Sequence, residues 1–484
     1  MELNKLLKGV SYSVLQGNAN IEVKKIEYDS RKVTAGDVFV CITGFQRDGH
    51  TFAAKAVKSG AVALICEYVP EGIDKEVTIF QVENSREALA FMAVQYFNQP
   101  SPKMHVIGVT GTNGKTTTTY LMKSILDHME KKVGVVGTIE NRIGDRVLHT
   151  ERTTPESKEL QELLDTMVKE DVSHVVMEVS SHSLDLHRVD GIEYEIGIFT
   201  NLTQDHLDYH KTMENYKEAK SKLFERAQKS VINLDDAAGS FMRERAKGQV
   251  LTFAVENDAD LRARNIEISA EGTEFSLTWE EKEYHVHLST PGRFSVYNAL
   301  GAIGACLLLG ISMTDILVGL KENQGVAGRF QAVRSKKGYQ GVVDYAHTPD
   351  GLDNILKTAR EFAKGRIITI FGCGGDRDKT KRPIMGEIAG NGSDYCIITS
   401  DNPRTEDPLT ILNEVEAGMK KTQCPYEKIA DRRAAILQGT KMAKTGDVII
   451  IAGKGHENYQ IFKDCTIHFD DMEEIRKAFG EDCI

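Results

Sequence analysis

The chain has 484 residues, 41% of them hydrophobic and 27% charged, with a formal net charge of −11, which places it among ordinary globular proteins and excludes a disordered or fibrous chain. The acidic total offers no basic field for a phosphate polymer, so no nucleic acid is expected as a partner, whereas a small anion in a locally positive pocket stays open. The opening residues MELNKLLKGVSYSVLQGN lack the apolar core of an export signal, the longest apolar run (299–311) is too short to cross a bilayer, and the eight cysteines show no CxxC or zinc-like spacing; the expectation is a cytoplasmic protein with reduced thiols and no membrane insertion.

Short apolar runs at 38–42, 62–66 and 77–82 alternate with helical stretches such as 51–59, and predict a small α/β unit over residues 1–99. Asn98-Gln99-Pro100-Ser101-Pro102 then reads as a linker, because two prolines remove backbone donors and restrict the residues before them. Beyond it, apolar runs at 106–109, 133–136, 174–179, 196–200 and 230–234 alternate with helices, one of them over 115–131. That rhythm predicts a mostly parallel sheet covered on both faces. Residues 263–288 alternate polar and apolar, as a small antiparallel insertion does. The rhythm restarts after Gly328-Arg329 with 341–344, 367–371, 395–399 and 447–451, and the glycines of 325–329 suggest a hinge. The expected fold class is α/β with three domains. A smaller α/β N-terminal domain covers 1–99, a central P-loop-type sheet with helices on both faces covers 100–328, and a Rossmann-like α/β C-terminal domain covers 329–484.

The sharpest chemical signal is Thr110-Gly111-Thr112-Asn113-Gly114-Lys115-Thr116, between a predicted strand and a predicted helix. Glycines let backbone N–H groups turn toward phosphate oxygens, and the helix N-terminus supplies positive potential. Lys115 is placed to reach the β- and γ-phosphates, and the Thr116 hydroxyl to bind Mg²⁺. Only the GK[ST] end of the common GxxxxGK[ST] pattern is met, since its first glycine falls on Val109. A nucleotide is expected here, the alternative being a glycine-rich turn without a ligand. Glu178 ends an apolar run and suits either a Mg²⁺ ligand or a solvated strand end. His206 and His210 lie four apart with Asp205 and Asp208 beside them, a spacing open to zinc, but without HExxH or a cysteine. Lys220, within YKEAKSKLFER, reads by itself as a solvated helix lysine.

Taken together, TGTNGKTTT, Met177-Glu178-Val179-Ser180-Ser181-His182, Asn201-Leu202-Thr203-Gln204-Asp205-His206-Leu207-Asp208, Glu218-Ala219-Lys220-Ser221-Lys222-Leu223-Phe224 and Asp344-Tyr345-Ala346-His347-Thr348-Pro349 resemble the Mur ligases and their relatives, the folylpolyglutamate synthetases. The resemblance spans essentially the whole chain, including Asp29-Ser30-Arg31 and Gly36-Asp37-Val38-Phe39. It implies that the loop 110–116 binds ATP together with Asn298, Arg329, Asp344 and His347. It implies Mg²⁺ on Thr116, Glu178 and His206, with Lys115 as the cation on the phosphates. It further implies that Lys220 carries a CO₂-derived carbamate, and so becomes an anionic oxygen ligand for the metal; a desolvated lysine with a lowered pKa is neutral enough for that reaction. Ser30 resembles a contact to the uridine-diphosphate end of the substrate, and Thr153, Thr154, Ser180, Arg188 and Lys220 resemble contacts to its muramoyl peptide.

Within that family, Ser400-Asp401-Asn402-Pro403-Arg404 resembles the recognition motif of the diaminopimelate-adding members, whose arginine pairs with the carboxylate at the far D-centre. Planar Arg binds a carboxylate through two parallel bonds, which Lys cannot imitate. Arg377, Gly453 and Glu457 match the remaining contacts, with Glu457 receiving the distal ammonium. The implied reaction is the ATP-dependent addition of meso-2,6-diaminopimelate to UDP-MurNAc-L-Ala-D-Glu through an acyl phosphate, in cytoplasmic peptidoglycan precursor synthesis, by a monomer. The alternatives are the L-lysine-adding ligase of the same step, a folylpolyglutamate-synthetase-like ligase, and an ATP-driven switch with no amino-acid substrate.

Overall fold

The computed structural model describes residues 1–484 apart from 45, 46, 151, 270, 324 and 484, and its long sheets are three in number. The first has the order Ser13–Gln16, Thr78–Gln81, Ala63–Cys66, Val38–Val40 and Ile26–Glu27, parallel except where Ser13–Gln16 meets Thr78–Gln81. The three inner strands are buried almost throughout, as apolar runs without alternation require.

The central sheet has eleven strands. Its middle runs Gln249–Ala254, Lys229–Asn233, Ile196–Phe199, His105–Thr110, His174–Glu178 and Val133–Val136, all parallel. Strand His105–Thr110 lies where the order reverses, with later strands on both sides. In open α/β sheets the crevice at that switch point is where ligands bind. The antiparallel insertion expected at 263–288 is continuous with this sheet. Leu261–Ser269 pairs parallel with Gln249–Ala254, then antiparallel with Gly272–Trp279, which Lys282–Leu288 follows. A short hairpin, Asn141–Ile143 with Arg146–Leu148, extends the opposite edge.

The apolar run at 299–311 belongs to helix Arg293–Leu308, which is apolar nearly all round because it is packed nearly all round. Gly301 faces Ile198 and Phe253, while Gly304 faces Val231, Leu251 and Leu261, so small residues let the helix settle onto the strands. Among the described residues no helix is long and apolar enough to cross a membrane.

The third sheet has the order Gln331–Arg334, Gln340–Asp344, Val448–Ala452, Ile367–Phe371, Tyr395–Ile398 and Tyr426–Lys428, parallel except at Gln331–Arg334. A two-stranded ribbon, Tyr459–Ile461 with Thr466–His468, precedes the last helix, Asp471–Phe479. That helix is anchored by a fully buried pair, since Arg432 Nε and Nη2 each donate at 2.7 Å to the Asp471 carboxylate. Arg432 Nη2 also donates to Ala452 O at 3.1 Å, which ties the helix to the end of the strand leading into the site. Removing one member of such a pair strands the other charge in a dry interior. Asp471→Ala is therefore expected to destabilise the fold by about 3–5 kcal/mol, read as a lower urea midpoint; a midpoint within error of wild type would contradict the assignment.

Candidate functional site

The loop between strand His105–Thr110 and helix Lys115–His128 is tied down from one side. Thr112 N donates to Asn201 O at 2.9 Å and Asn113 N to Asn201 Oδ1 at 2.9 Å. Thr200 Oγ1 donates to Asn113 O at 2.6 Å, and Thr203 N to Thr112 Oγ1 at 3.0 Å. Gly114 caps the helix at φ +86°, and a Cβ there would lie 2.2 Å from Asn298 Oδ1. With no side chain on the cap, the first N–H groups of the helix are left to an anion.

Two lysines converge on one oxygen of this loop. Lys115 Nζ donates to Gly111 O and Thr112 O, both at 2.9 Å, and Lys220 Nζ donates to the same Gly111 O at 2.8 Å. Lys220 is 1% exposed and also stands over the Tyr216 ring. Burial, with Lys115 adding to it, pulls the Lys220 amine well below the ordinary lysine range. Burial lowers Lys115 as well. The helix lysine expected in solvent is thus in the core, because helix Met213–Arg226 turns Tyr216, Lys220 and Phe224 inward.

On the other side of the loop, Glu178 ends its strand buried. Its Oε1 accepts from Thr138 N and its Oε2 from Thr138 Oγ1, each at 2.9 Å. Among the described residues it forms no ion pair of 4 Å or less. Thr138 Oγ1 also meets Thr153 Oγ1 at 3.0 Å, and Thr154 Oγ1 donates to Glu178 O at 2.9 Å. Ser180 caps helix Ser181–Asp185, and its N donates to Thr154 Oγ1 at 3.2 Å. Arg188 pairs with Glu156 at 2.8 Å and donates to Thr154 O. His206 has φ +54°, and burial holds its imidazole well below the ordinary histidine range. The buried carboxylate of Glu178, the neutral imidazole of His206 and the Thr116 hydroxyl line one cavity, and these are donor types that a divalent cation accepts.

That cavity, of about 510 Å³, is lined by Thr112–Thr116, Thr153, Glu178, His206, Asn298, Arg329, Asp344 and His347. Segments of the central and third sheets therefore face each other across it. Two bonds span the gap, from Arg329 Nη2 to Thr116 Oγ1 at 3.0 Å and from Asn113 Nδ2 to Asp350 Oδ2 at 2.7 Å. Thr110, Gly111, Lys220, Thr154, Ser180 and Arg188 do not line this cavity, Ser180 and Arg188 being half-buried elsewhere. Ser30 lines a separate cavity of about 450 Å³, together with Arg31, Arg47, Lys55, Arg86 and Arg152. The chain is acidic overall, yet this pocket is basic.

The remaining candidates gather beyond the strand end Val448–Ala452. Arg404 Nη1 donates to Gly375 O at 2.9 Å, and exposed Arg377 donates to Asp376 O at 2.9 Å. A Cβ on Gly374 would lie 2.9 Å from Arg404 Nη1 and 3.7 Å from Arg377 Cγ, so the two arginines flank one glycine. Pro403 O lies 1.9 Å from where a Gly375 Cβ would be, and Asp401 Oδ2 lies 2.6 Å from where a Gly453 Cβ would be. Asn402 Nδ2 donates to Glu457 Oε2 at 2.7 Å. This cluster touches the nucleotide side through a crossing of backbones. Tyr345 N donates to Gly328 O at 2.9 Å, and a Cβ on Gly328 would lie 2.0 Å from His456 N. Gly325 is free of such contacts, so within 325–329 only one glycine is packed.

Reading by motif misses several residues that the geometry brings in. Thr138 holds both oxygens of Glu178, yet belongs to no recognisable motif. Asn201 opens the segment 201–208 and was visible there, although its loop-binding role was not. Asp350 lies one residue past the 344–349 motif, and Lys454 lies inside 453–457 between two assigned contacts, with no role of its own assigned.

Residues 22–97 match the Mur ligase family catalytic domain, 109–306 the Mur ligase middle domain, and 328–455 the Mur ligase glutamate ligase domain. The chain belongs to the Mur ligase family. It is 51% identical over 485 residues to the UDP-N-acetylmuramoyl-L-alanyl-D-glutamate–2,6-diaminopimelate ligase of Clostridium botulinum, covering 99% of this chain and 100% of that protein. It is 48% identical over 483 residues to the ligase numbered 1 of the same name in Clostridium acetobutylicum, covering 99% and 100%. A solved structure of a UDP-N-acetylmuramoyl-L-alanyl-D-glutamate–2,6-diaminopimelate ligase superposes with a TM-score of 0.71 at 33% identity, covering 99% of this chain and 98% of that one.

The loop yields a direct test. Gly114→Ala puts a methyl against Asn298 and forces a left-handed φ on an L-residue, which costs roughly 1–2 kcal/mol before any clash. Affinity for a non-hydrolysable ATP analogue is expected to fall by about tenfold or more, measured by calorimetric titration. Undiminished affinity would remove this loop from the nucleotide site.

Proposed function

We propose that this chain is an ATP-dependent ligase that adds meso-2,6-diaminopimelate to UDP-MurNAc-L-Ala-D-Glu in peptidoglycan precursor synthesis. The observation that carries the reading is the junction of a cavity and an unlike side-chain cluster at the Gly328–His456 crossing. One is a phosphate-type loop with a buried carboxylate beside it, and the other is a cluster of two arginines with Asp401 and Glu457. On this reading residues 1–99 hold the uridine-diphosphate end through the basic pocket around Ser30, residues 100–328 hold ATP, and residues 329–484 hold the amino acid.

The chemistry follows from which groups each pocket supplies. Loop N–H groups and Lys115 bind the β- and γ-phosphates, and Asn298, Arg329, Asp344 and His347 complete the nucleotide pocket. Arg188, Thr153, Thr154 and Ser180 orient the peptide so that the D-Glu γ-carboxylate attacks the γ-phosphorus and ADP leaves. Mg²⁺ held by Thr116, Glu178 and His206 would neutralise charge on the transferring phosphoryl group. Lys220, its amine pulled toward the neutral form by burial, reacts with CO₂ through its nitrogen and loses a proton to become a carbamate, which would be an oxygen donor at the metal site in place of an amine. Arg377 and Arg404 receive the distal carboxylate of diaminopimelate, Asp401, Asn402, Pro403 and Gly453 shape the pocket, and Glu457 takes the distal ammonium. The amine at the L-centre then attacks the acyl phosphate and phosphate leaves. Water would hydrolyse that activated acid, so the third sheet must close further on the central one than the bonds of Arg329 and Asp350 already bring it.

Lys220→Ala is expected to be nearly inactive and partly restored by acetate or formate; full activity of that variant under rigorous CO₂ exclusion would rule out the carbamate. The function itself is tested by phosphate release with UDP-MurNAc-L-Ala-D-Glu and each candidate amino acid. Arg404→Ala is expected to lose about 10- to 150-fold in apparent affinity for diaminopimelate, the worth of one charge-assisted bond. It should not become an efficient L-lysine ligase, because Arg377 remains. Equal use of L-lysine and meso-diaminopimelate by the wild type would show this pocket reading to be wrong.

A further inference from the structure

The amino-acid cluster contains a charge that the reaction described above does not use. Lys454 follows strand Val448–Ala452 and its side chain is 0% exposed. Its Nζ donates to Glu457 Oε2 at 2.9 Å and to Asn402 Oδ1 at 3.3 Å, and it stands 5.4 Å from the centre of the Tyr459 ring. Asn402 is engaged at both ends, its Nδ2 on the same Glu457 Oε2 and its Oδ1 accepting from Ile461 N at 2.9 Å. One oxygen of Glu457 is thus held twice from within the chain. Among the described residues no side-chain hydrogen bond engages the other.

A buried ion pair is a poor stabiliser, since well-packed apolar residues in its place are often as stable or more so. An ammonium taken wholly out of water, beside the only carboxylate assigned to a substrate amine, calls for a different account. We propose that Lys454 is a positioning residue of the amino-acid pocket, whose ammonium keeps Glu457 ionised with Oε2 engaged and Oε1 left for the distal amine of the incoming diamino acid. The proposal rests on reading residues 401–404 and 453–457 as the diaminopimelate site.

The charged and titratable groups facing Glu457 are Lys454, Asp401, Tyr345, Tyr459 and Arg432. Burial pushes the Glu457 carboxyl up and Asp401 adds to that, whereas Lys454 and the Asn402 amide pull it down. Without Lys454 the carboxyl rises further, and the neutral acid, which cannot receive an ammonium as a charge partner, gains population near neutrality. Raising the pH restores the carboxylate, so KM for diaminopimelate should fall as pH rises in a variant lacking the ammonium.

The test is steady-state kinetics with meso-diaminopimelate varied, from about pH 6.5 to about pH 8.5, where an ordinary carboxyl does not titrate. The proteins are the wild type, Lys454→Met, Glu457→Gln and the double variant. Lys454→Met should raise KM for diaminopimelate by about 10- to 150-fold at the lower pH, with kcat and the KM for ATP little changed. That KM should fall with rising pH, a slope absent from the wild type and from the double variant. An unchanged KM, or a raised KM without the new slope, overturns the proposal, because a merely structural lysine would shift KM alike at every pH. If Lys454→Met fails to melt cooperatively, the wild type decides. A flat KM supports the proposal, and a KM falling about tenfold per pH unit overturns it. Equal use of L-lysine by the wild type overturns instead the reading of the pocket, and is visible before any variant is made.

Discussion

Much of this site depends on two lysines that share one carbonyl oxygen. Lys115 and Lys220 both donate to Gly111 O, so their nitrogens lie within about 6 Å of each other, where two unit charges repel by roughly 3 kcal/mol at an effective dielectric of about 20. Two ammonium groups cannot both rest comfortably there. The one with less water gives up its proton more readily, and that is Lys220, held in the core by helix Met213–Arg226. Lys115 stands on the cavity wall, where an anion would draw it outward and restore its charge. The division of labour proposed for the two lysines, one a phosphate cation and the other a masked carboxylate, starts from that inequality.

The sheet makes the inequality possible. Strand His105–Thr110 sits at the reversal of strand order, so the loop that follows has Glu178 on one neighbouring strand and the 200–203 segment after the other. Gly111 approaches Thr200 so closely that a Cβ would lie 1.9 Å from its hydroxyl. That contact presses the loop onto the sheet and turns Gly111 O toward helix Met213–Arg226. A looser loop would leave the two amines their own waters and their ordinary pKa values.

Much of this was legible in the sequence, and the failures have physical reasons. Strands Val133–Val136 and Ile367–Phe371 are found where apolar runs placed them, because a strand buried on both faces must be apolar throughout. Helix Lys115–His128 begins where expected and ends three residues early, at a turn whose Glu130 has φ +54°. The proline stretch near residue 100 holds a short 3₁₀ turn, Ser101–Lys103, that composition did not reveal. Ser13–Gln16 and the hairpin at 141–148 went unread, since strands of three or four residues at or next to a sheet edge are too short to show periodicity. The site divides in the same way. Glu178 and His206 were visible by motif, and the structure sets them on the same cavity as Thr116. The depth of Lys220, the grip of Thr138 on Glu178 and the pairing of Lys454 depend on distant segments meeting, which no local pattern encodes.

The crossing of Gly328 with the 455–456 backbone has a pharmacological consequence. The crossing lies between the regions proposed for nucleotide and amino acid, and there is no room in it for even one methyl group. A small molecule that wedged the crossing open would distort both regions while occupying neither, so it would weaken ATP and the amino acid together, and each of them would by reciprocity weaken it. Resistance by enlarging either glycine would meet the same obstacle as the drug, for the side chain that blocked the wedge would itself hold the crossing apart.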